Sequence, residues 1–190
     1  MKSINIKARL IIIFTLVFLS FALFAQQGKD APNVQKTKMA AFVSETGVIR
    51  KFVDVNLPAL KGSYLQLAET RIRKVSVGTE AKYFYQIEKK NQYNNSVASI
   101  EYEDLLETIK ALKSLITEVD GDIKSNPDYM ENKFVTVDGF EVGYYVSKAK
   151  VMWFIKLEQY GSDNTFFVSN VAVLEAGFNE AKSKIEALRQ

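Results

Sequence analysis

The hydrophobic period of this chain changes from two to about 3.6 twice, and that alternation restricts the folds open to it. Apolar residues at Leu105, Ile109, Leu112, Ile116 and Val119 are spaced four, three, four and three apart. A second stripe runs through Val171, Leu174, Phe178, Ala181, Ile185 and Leu188. Each predicts a helix with one apolar face, made to lie on a sheet. Asp104 with Glu107 suits the N-terminus of the first helix, Gly121 and Pro127 its exit, and Asn170 the cap of the second. Before each helix, apolar and polar residues alternate: Tyr83, Tyr85 and Ile87; Ala98, Ile100 and Tyr102; Phe140, Val142, Tyr144 and Val146; Val151, Trp153, Ile155 and Leu157. Alternation of this kind predicts half-buried antiparallel strands, with Asp138-Gly139 as a hairpin turn between Lys133–Val137 and Phe140–Ser147.

The two halves resemble each other. Lys51-Phe52-Val53-Asp54-Val55 matches Lys133-Phe134-Val135-Thr136-Val137, and Ala81-Lys82 matches Ala149-Lys150. Gln92-Tyr93 before Asn95-Ser96 matches Gln159-Tyr160 before Asn164-Thr165. The expected fold class is α+β: antiparallel sheet with two amphipathic helices, arranged as a duplicated ββββα unit, with pseudo-repeats over 48–120 and 133–190. This element order resembles that of the Whirly and PUR-repeat single-stranded nucleic-acid binders. The likeness is one of element order and assigns no residue a role.

The N-terminus specifies a destination. Lys2, Lys7 and Arg9 precede the apolar run Leu10–Ala25, and Gln26-Gln27-Gly28-Lys29-Asp30 turns polar. That order predicts a secretory signal over 1–25, cleaved after Ala25, because a spanning helix needs about 20 apolar residues. A flexible leader over 26–38 and a single domain over 39–190 follow, periplasmic or secreted, with no membrane span after cleavage. Kept uncleaved, the same run would be an anchor. The signal carries three of the 25 basic residues and none of the 22 acidic ones. The remainder balances at 22 of each, so no nucleic-acid partner is expected despite the resemblance.

His and Cys are both absent, which removes Ser-His-Asp and Cys-His catalysis, disulfides, and His- or Cys-based metal sites. No catalytic residue, metal or cofactor is expected. Two motif-like stretches fail on context. Ser147-Lys148-Ala149-Lys150 spells S-x-x-K between two strands, where that motif does not work. Asp120–Glu131 has the acids of a calcium loop but Lys124 and Ser125 at two required places, and reads better as a polar linker. The basic residues of the strands read as guards against edge pairing, and the strand acids as solvated faces.

Some strands are apolar on both faces. Tyr83-Phe84-Tyr85 and Val151–Ile155 each carry a second apolar face that needs a further layer, a partner or a ligand. Phe84, Met152 and Phe154 are therefore the expected ligand-binding residues. The expected function is an exported, non-catalytic binding or interaction module of the cell envelope. It would take an apolar or carbohydrate ligand or an envelope protein. A His-free hydrolase using paired carboxylates and a Whirly- or PUR-like single-strand binder are the alternatives.

Overall fold

The computed structural model describes residues 36–92 and 94–190; the expected signal and the leader up to residue 35 lie outside them. The chain order is α1 (Lys38–Phe42), β1 (Arg50–Lys61), a 3-10 turn (Ser63–Leu65), β2 (Leu67–Val77), β3 (Glu80–Lys89), β4 (Ser96–Glu101), α2 (Tyr102–Lys124), β5 (Met130–Val135), β6 (Glu141–Ser147), β7 (Lys150–Lys156), β8 (Thr165–Val168) and α3 (Ala172–Arg189). β1 to β4 form one antiparallel meander and β5 to β8 a second. The architecture is α+β, with two ββββα units. Among the described residues, no helix is long and apolar enough to cross a membrane.

Residues of one parity on each sheet build a single core. Ile72, Tyr85, Ile87 and Ile100 come from the first sheet, and Val142, Tyr144, Trp153, Ile155 and Phe166 from the second. Leu105, Leu112, Leu174, Phe178 and Ile185 come from the helix stripes. The last helix crosses to the other unit's sheet. α3 packs on β1 and β2, while α2 packs on strands of both sheets. Phe178 of α3 joins the halves, meeting Tyr85 edge-on at 6.2 Å and Phe140 at 6.3 Å between ring centroids. Burying such rings contributes about 1.5–3 kcal/mol each, which lets a chain without disulfides hold together.

Several local expectations change. α2 begins directly after β4, with Glu101 at its N-cap and no side-chain cap bond. Asp104 is turned instead to the Lys38 ammonium at 2.6 Å. Gly121 lies inside α2 rather than ending it. In α3 the Asn170 side chain accepts from the Ala172 N–H at 3.0 Å. Asp138-Gly139 is not the central pair of a two-residue hairpin. Gly139 donates to the Thr136 carbonyl and Thr136 to the Phe140 carbonyl, so the turn spans four residues with Gly139 (φ +82°) in the bulge position that glycine suits. The first unit's opening strands, β1 and β2, are longer than β5 and β6 of the second, and their register shifts between Leu57 and Leu60.

Candidate aromatic binding face

Each sheet has an outer face opposite the core, and equivalent rows can be read from the strand register. In the first sheet one row is Asp54, Arg73, Phe84 and Glu101. In the second the corresponding row is Lys133, Gly143, Phe154 and Phe167. Phe84 and Phe154 each stand five residues into the third strand of their unit.

The first sheet's outer face is covered. Met39, Phe42, Val43 and Val48 pack on Val75, Val77 and Phe84, making a small separate core. Lys38 pins this segment. Its ammonium bonds to Asp104 and lies 3.6 Å from Glu101, and its backbone N–H donates to both carboxylate oxygens of Asp138. Burial, opposed by that backbone bond, raises the Asp138 carboxyl above its ordinary pKa. Phe84 has no exposed surface, so it cannot line a ligand site as expected of it; it belongs to this second core. The rest of the face is polar and internally paired. Arg73 forks onto Asp54 at 2.7 and 2.6 Å, and Arg71 bonds Gln86 and Glu88. Two arginines that each answer a carboxylate do not make a continuous basic groove for nucleic acid.

The second sheet's outer face is aromatic. Tyr129 stacks on Tyr145 with centroids 6.1 Å apart, Tyr145 meets Phe167 edge-on at 6.4 Å, and Phe167 meets Phe154 at 6.5 Å. Met152 lies opposite Tyr145 in the next row. Phe154, only 6% exposed, is the buried root of this chain, and Tyr129, 61% exposed, is its open end. The structure thus brings Met152 and Phe154 to one face and separates both from Phe84.

A loop of the first unit borders this face. Ser63 Oγ lies 2.8 Å from Ser169 Oγ and 3.8 Å from Met152 Sδ. Gly62 is pressed so closely on β8 that a Cβ there would come within 2.6 Å of the Phe166 ring. The loop then holds Tyr64 (φ +56°, 84% exposed) and Leu65 (φ +62°, 98% exposed) in left-handed backbone. Such conformations cost non-glycine residues on the order of 1 kcal/mol each, and strain of this kind gathers at functional segments. Tyr64, Leu65, Tyr129, Tyr145 and Phe167 were not expected as site residues. Alternation marks Tyr145 and Phe167 as outward-facing, but only the paired register shows that they adjoin.

The polar rim of the aromatic face is settled internally. Lys133 bridges Glu131 and Glu141, both at 2.8 Å, and Lys156 reaches Glu141 at 3.4 Å. The bond from Lys133 holds the Glu131 carboxyl below its ordinary range. A general acid needs its proton near neutral pH. Asp54, Glu88 and Glu131 are all held in the opposite sense by basic partners. In the region read as a possible calcium loop, Asp120 and Asp122 remain helical, and Asp122 accepts from the Tyr144 hydroxyl. Among the described residues, no three His, Cys, Asp or Glu side chains gather as for a metal ion. No protein-family model, curated protein or solved structure matches this chain.

Proposed function

We propose that this protein is an exported, non-catalytic binding or interaction module of the cell envelope, and that the outer face of its second sheet is the contact surface. The observation that carries this reading is the aromatic chain Tyr129–Tyr145–Phe167–Phe154, bordered by the strained Tyr64-Leu65 tip. The cluster reaches the surface at Tyr129, with Tyr145 and Phe167 half-buried behind it. Aromatics at a surface mark interaction sites, and tyrosine suits them because its ring buries well while its hydroxyl stays wet. The short apolar run behind Lys2, Lys7 and Arg9 supports export.

The test is native purification from the envelope fraction, comparing the wild-type chain with a Tyr129→Ala/Tyr145→Ala variant. An N-terminus at Gln26 and a stoichiometric co-purifying molecule, identified by mass spectrometry and lost from the variant, are expected. A full-length chain kept in the inner membrane overturns the export reading. A co-purifying molecule retained by the variant overturns the assignment of this face.

A further inference from the structure

The longest sheet edge belongs to β1. Among the described residues it pairs only with β2, and it runs for twelve residues. The other edges, β4, β5 and β8, have six, six and four. The direction of its amides follows from the register. Arg50 stands opposite Val77, and the Gly78 N–H donates to the Ile49 carbonyl at 3.3 Å. A bond between the flanking residues of a facing pair marks that pair as the non-hydrogen-bonded kind. Alternation then turns the amides of Lys51, Val53 and Val55 to β2, and those of Arg50, Phe52, Asp54 and Asn56 outward. Residues 50–54 are exposed on both faces, so this outward row stands clear of the helices. Two large apolar side chains lie open beside it, Ile49 at 88% and Phe52 at 49% exposure. The row ends at Pro58, which has no N–H, and at the register shift between Leu57 and Leu60.

We propose that this edge pairs with the same edge of a second copy, joining two first sheets into one antiparallel sheet about a twofold axis at Phe52. An open row of amides and carbonyls is a template for a further strand, and proteins ordinarily blunt it. Here the blunting devices, Pro58 and the register shift, guard only the far half of β1. The near half is self-complementary in one register. Outward residues of one copy must meet outward residues of the other, so the axis passes through a residue. An axis at Arg50, Lys51 or Asp54 sets like charges face to face, which is destabilising. An axis at Val53 leaves Arg50 facing Asn56 and Asp54 facing Phe52, with neither charge answered. An axis at Val55 or Asn56 runs the pairing into Pro58. At Phe52 the arrangement closes. Arg50 of each copy faces Asp54 of the other, the two Phe52 rings meet, and Ile49 faces Val55. Asp54 can receive this cation because it keeps part of its side chain exposed beside Arg73. The chain thus supplies both halves of its own complement, which identifies the partner strand as a second copy. This surface does not depend on the aromatic face of the second sheet.

The experiment is sedimentation velocity on the protein isolated from the envelope fraction, with amide hydrogen exchange at low and high concentration. A dimer with a dissociation constant of about 100 μM or tighter is expected, as for a small transient interface. Exchange at Phe52 and Asp54 should slow as the dimer forms, while Lys51 and Val53, bonded to β2, stay slow throughout. Phe52→Pro removes only an outward N–H, which an edge strand tolerates, and should weaken the dimer roughly tenfold or more. Arg50→Glu should weaken it by facing Asp54 with a second carboxylate. Phe52→Lys, which sets two ammonium groups together at the axis, carries the test if the proline variant folds poorly. Tyr129→Ala/Tyr145→Ala should leave the dimer unchanged. A monomer at every concentration overturns the proposal. So does a dimer that survives the substitutions at 50 and 52, or one that is lost in the tyrosine variant. Slow exchange at Phe52 and Asp54 that ignores concentration would mean that a segment of the same chain covers the edge, and it overturns the proposal as well.

Discussion

Phe84 and Phe154 occupy equivalent rows of equivalent strands, yet one is sealed under a helix and the other roots an open aromatic surface. What differs is what each sheet is given to cover it. The first sheet has α1, anchored through Lys38 to Asp104 and Asp138, one of them in α2 and the other in the β5–β6 turn. The second has, among the described residues, only the Gly62–Gln66 loop at its β8 edge. The neighbours in the rows follow suit. Phe84 is flanked by Arg73 and Glu101, and Phe154 by Gly143 and Phe167. The two units share a core face and differ at their outer faces, and an exposed face that differs is where a binding role would reside.

Truncation should break the comparison most sharply. Phe84→Ala leaves a cavity between a sheet and a helix and should cost about 3–5 kcal/mol in urea denaturation. Phe154→Ala leaves a hole beside the half-buried Phe167 ring, which can settle into it, and should cost less, roughly 2 kcal/mol. Equal losses would mean that both outer faces are ordinary core and would remove the main support for a contact surface on the second sheet.

The core was legible in the sequence because the inner face of each strand and the stripe of each helix obey one period over many residues. The outer faces were not. Lys51-Phe52-Val53 and Lys133-Phe134-Val135 look equivalent, but pairing places Phe52 opposite Val75 on an outer face and Phe134 opposite Val142 on the inner one. A shift of odd length reverses every side chain, and a match of four residues in five cannot reveal it. The match of Ala81-Lys82 to Ala149-Lys150 slips by two, because the turn residues Lys148-Ala149 correspond to Gly78-Thr79. The cover over Phe84 was out of reach for another reason. Lys38 and Asp138 lie 100 residues apart, and nothing local marks their contact. For the candidate site, doubly apolar β7 pointed to Met152 and Phe154. Tyr64, Tyr129 and Tyr145 join them only through loop docking and register.

Uncovering the first sheet should make it behave like the second. Phe42→Asp places a carboxylate in the small core over Val75, Val77 and Phe84. It should cost about 2 kcal/mol, within the range for a buried polar group lacking a partner, and raise binding of an apolar dye. An unchanged dye signal would mean that α1 does not shield that face in solution.

Acid acts on both faces. Bonds from Arg73, Arg71 and Lys133 hold Asp54, Glu88 and Glu131 below their ordinary values of 3.8, 4.5 and 4.5. A carboxyl depressed in the folded state contributes stability that is complete above its unfolded value and is lost as pH falls through the folded one. Asp138, raised by burial, runs the other way, its contribution fading as pH rises. Three groups against one predict a net loss of about 1–2 kcal/mol between pH 5 and pH 2, given the modest worth of partly exposed pairs. Arg73→Gln should flatten the Asp54 part of that loss and leave the Glu88 and Glu131 parts intact. Urea midpoints measured across this window check both.

The two equivalent hairpin turns permit the finest comparison. Between β2 and β3 the turn is Gly78-Thr79, with glycine at φ +58°. Between β6 and β7 it is Lys148-Ala149, with φ of +50° and +58° on residues that carry a Cβ. Two successive left-handed residues make the turn type that suits the twist of a two-residue hairpin, and Asn-Gly satisfies it with least strain. Lys148→Asn/Ala149→Gly should therefore stabilise the fold. The gain is the relieved strain, on the order of 1–2 kcal/mol per residue. The added freedom of glycine in the unfolded chain offsets part of it, by about 0.4–1 kcal/mol. Counting the full relief only at position 149, because asparagine keeps a Cβ at 148, a net gain of roughly 0.5–1 kcal/mol follows, read as a higher urea midpoint at unchanged slope. The same substitutions should leave any contact at the aromatic face untouched, since the turn lies beyond the end of the Tyr145–Met152 row. A loss of stability would mean that the turn is not left-handed at both positions, and the correspondence drawn between the two hairpins would fail with it.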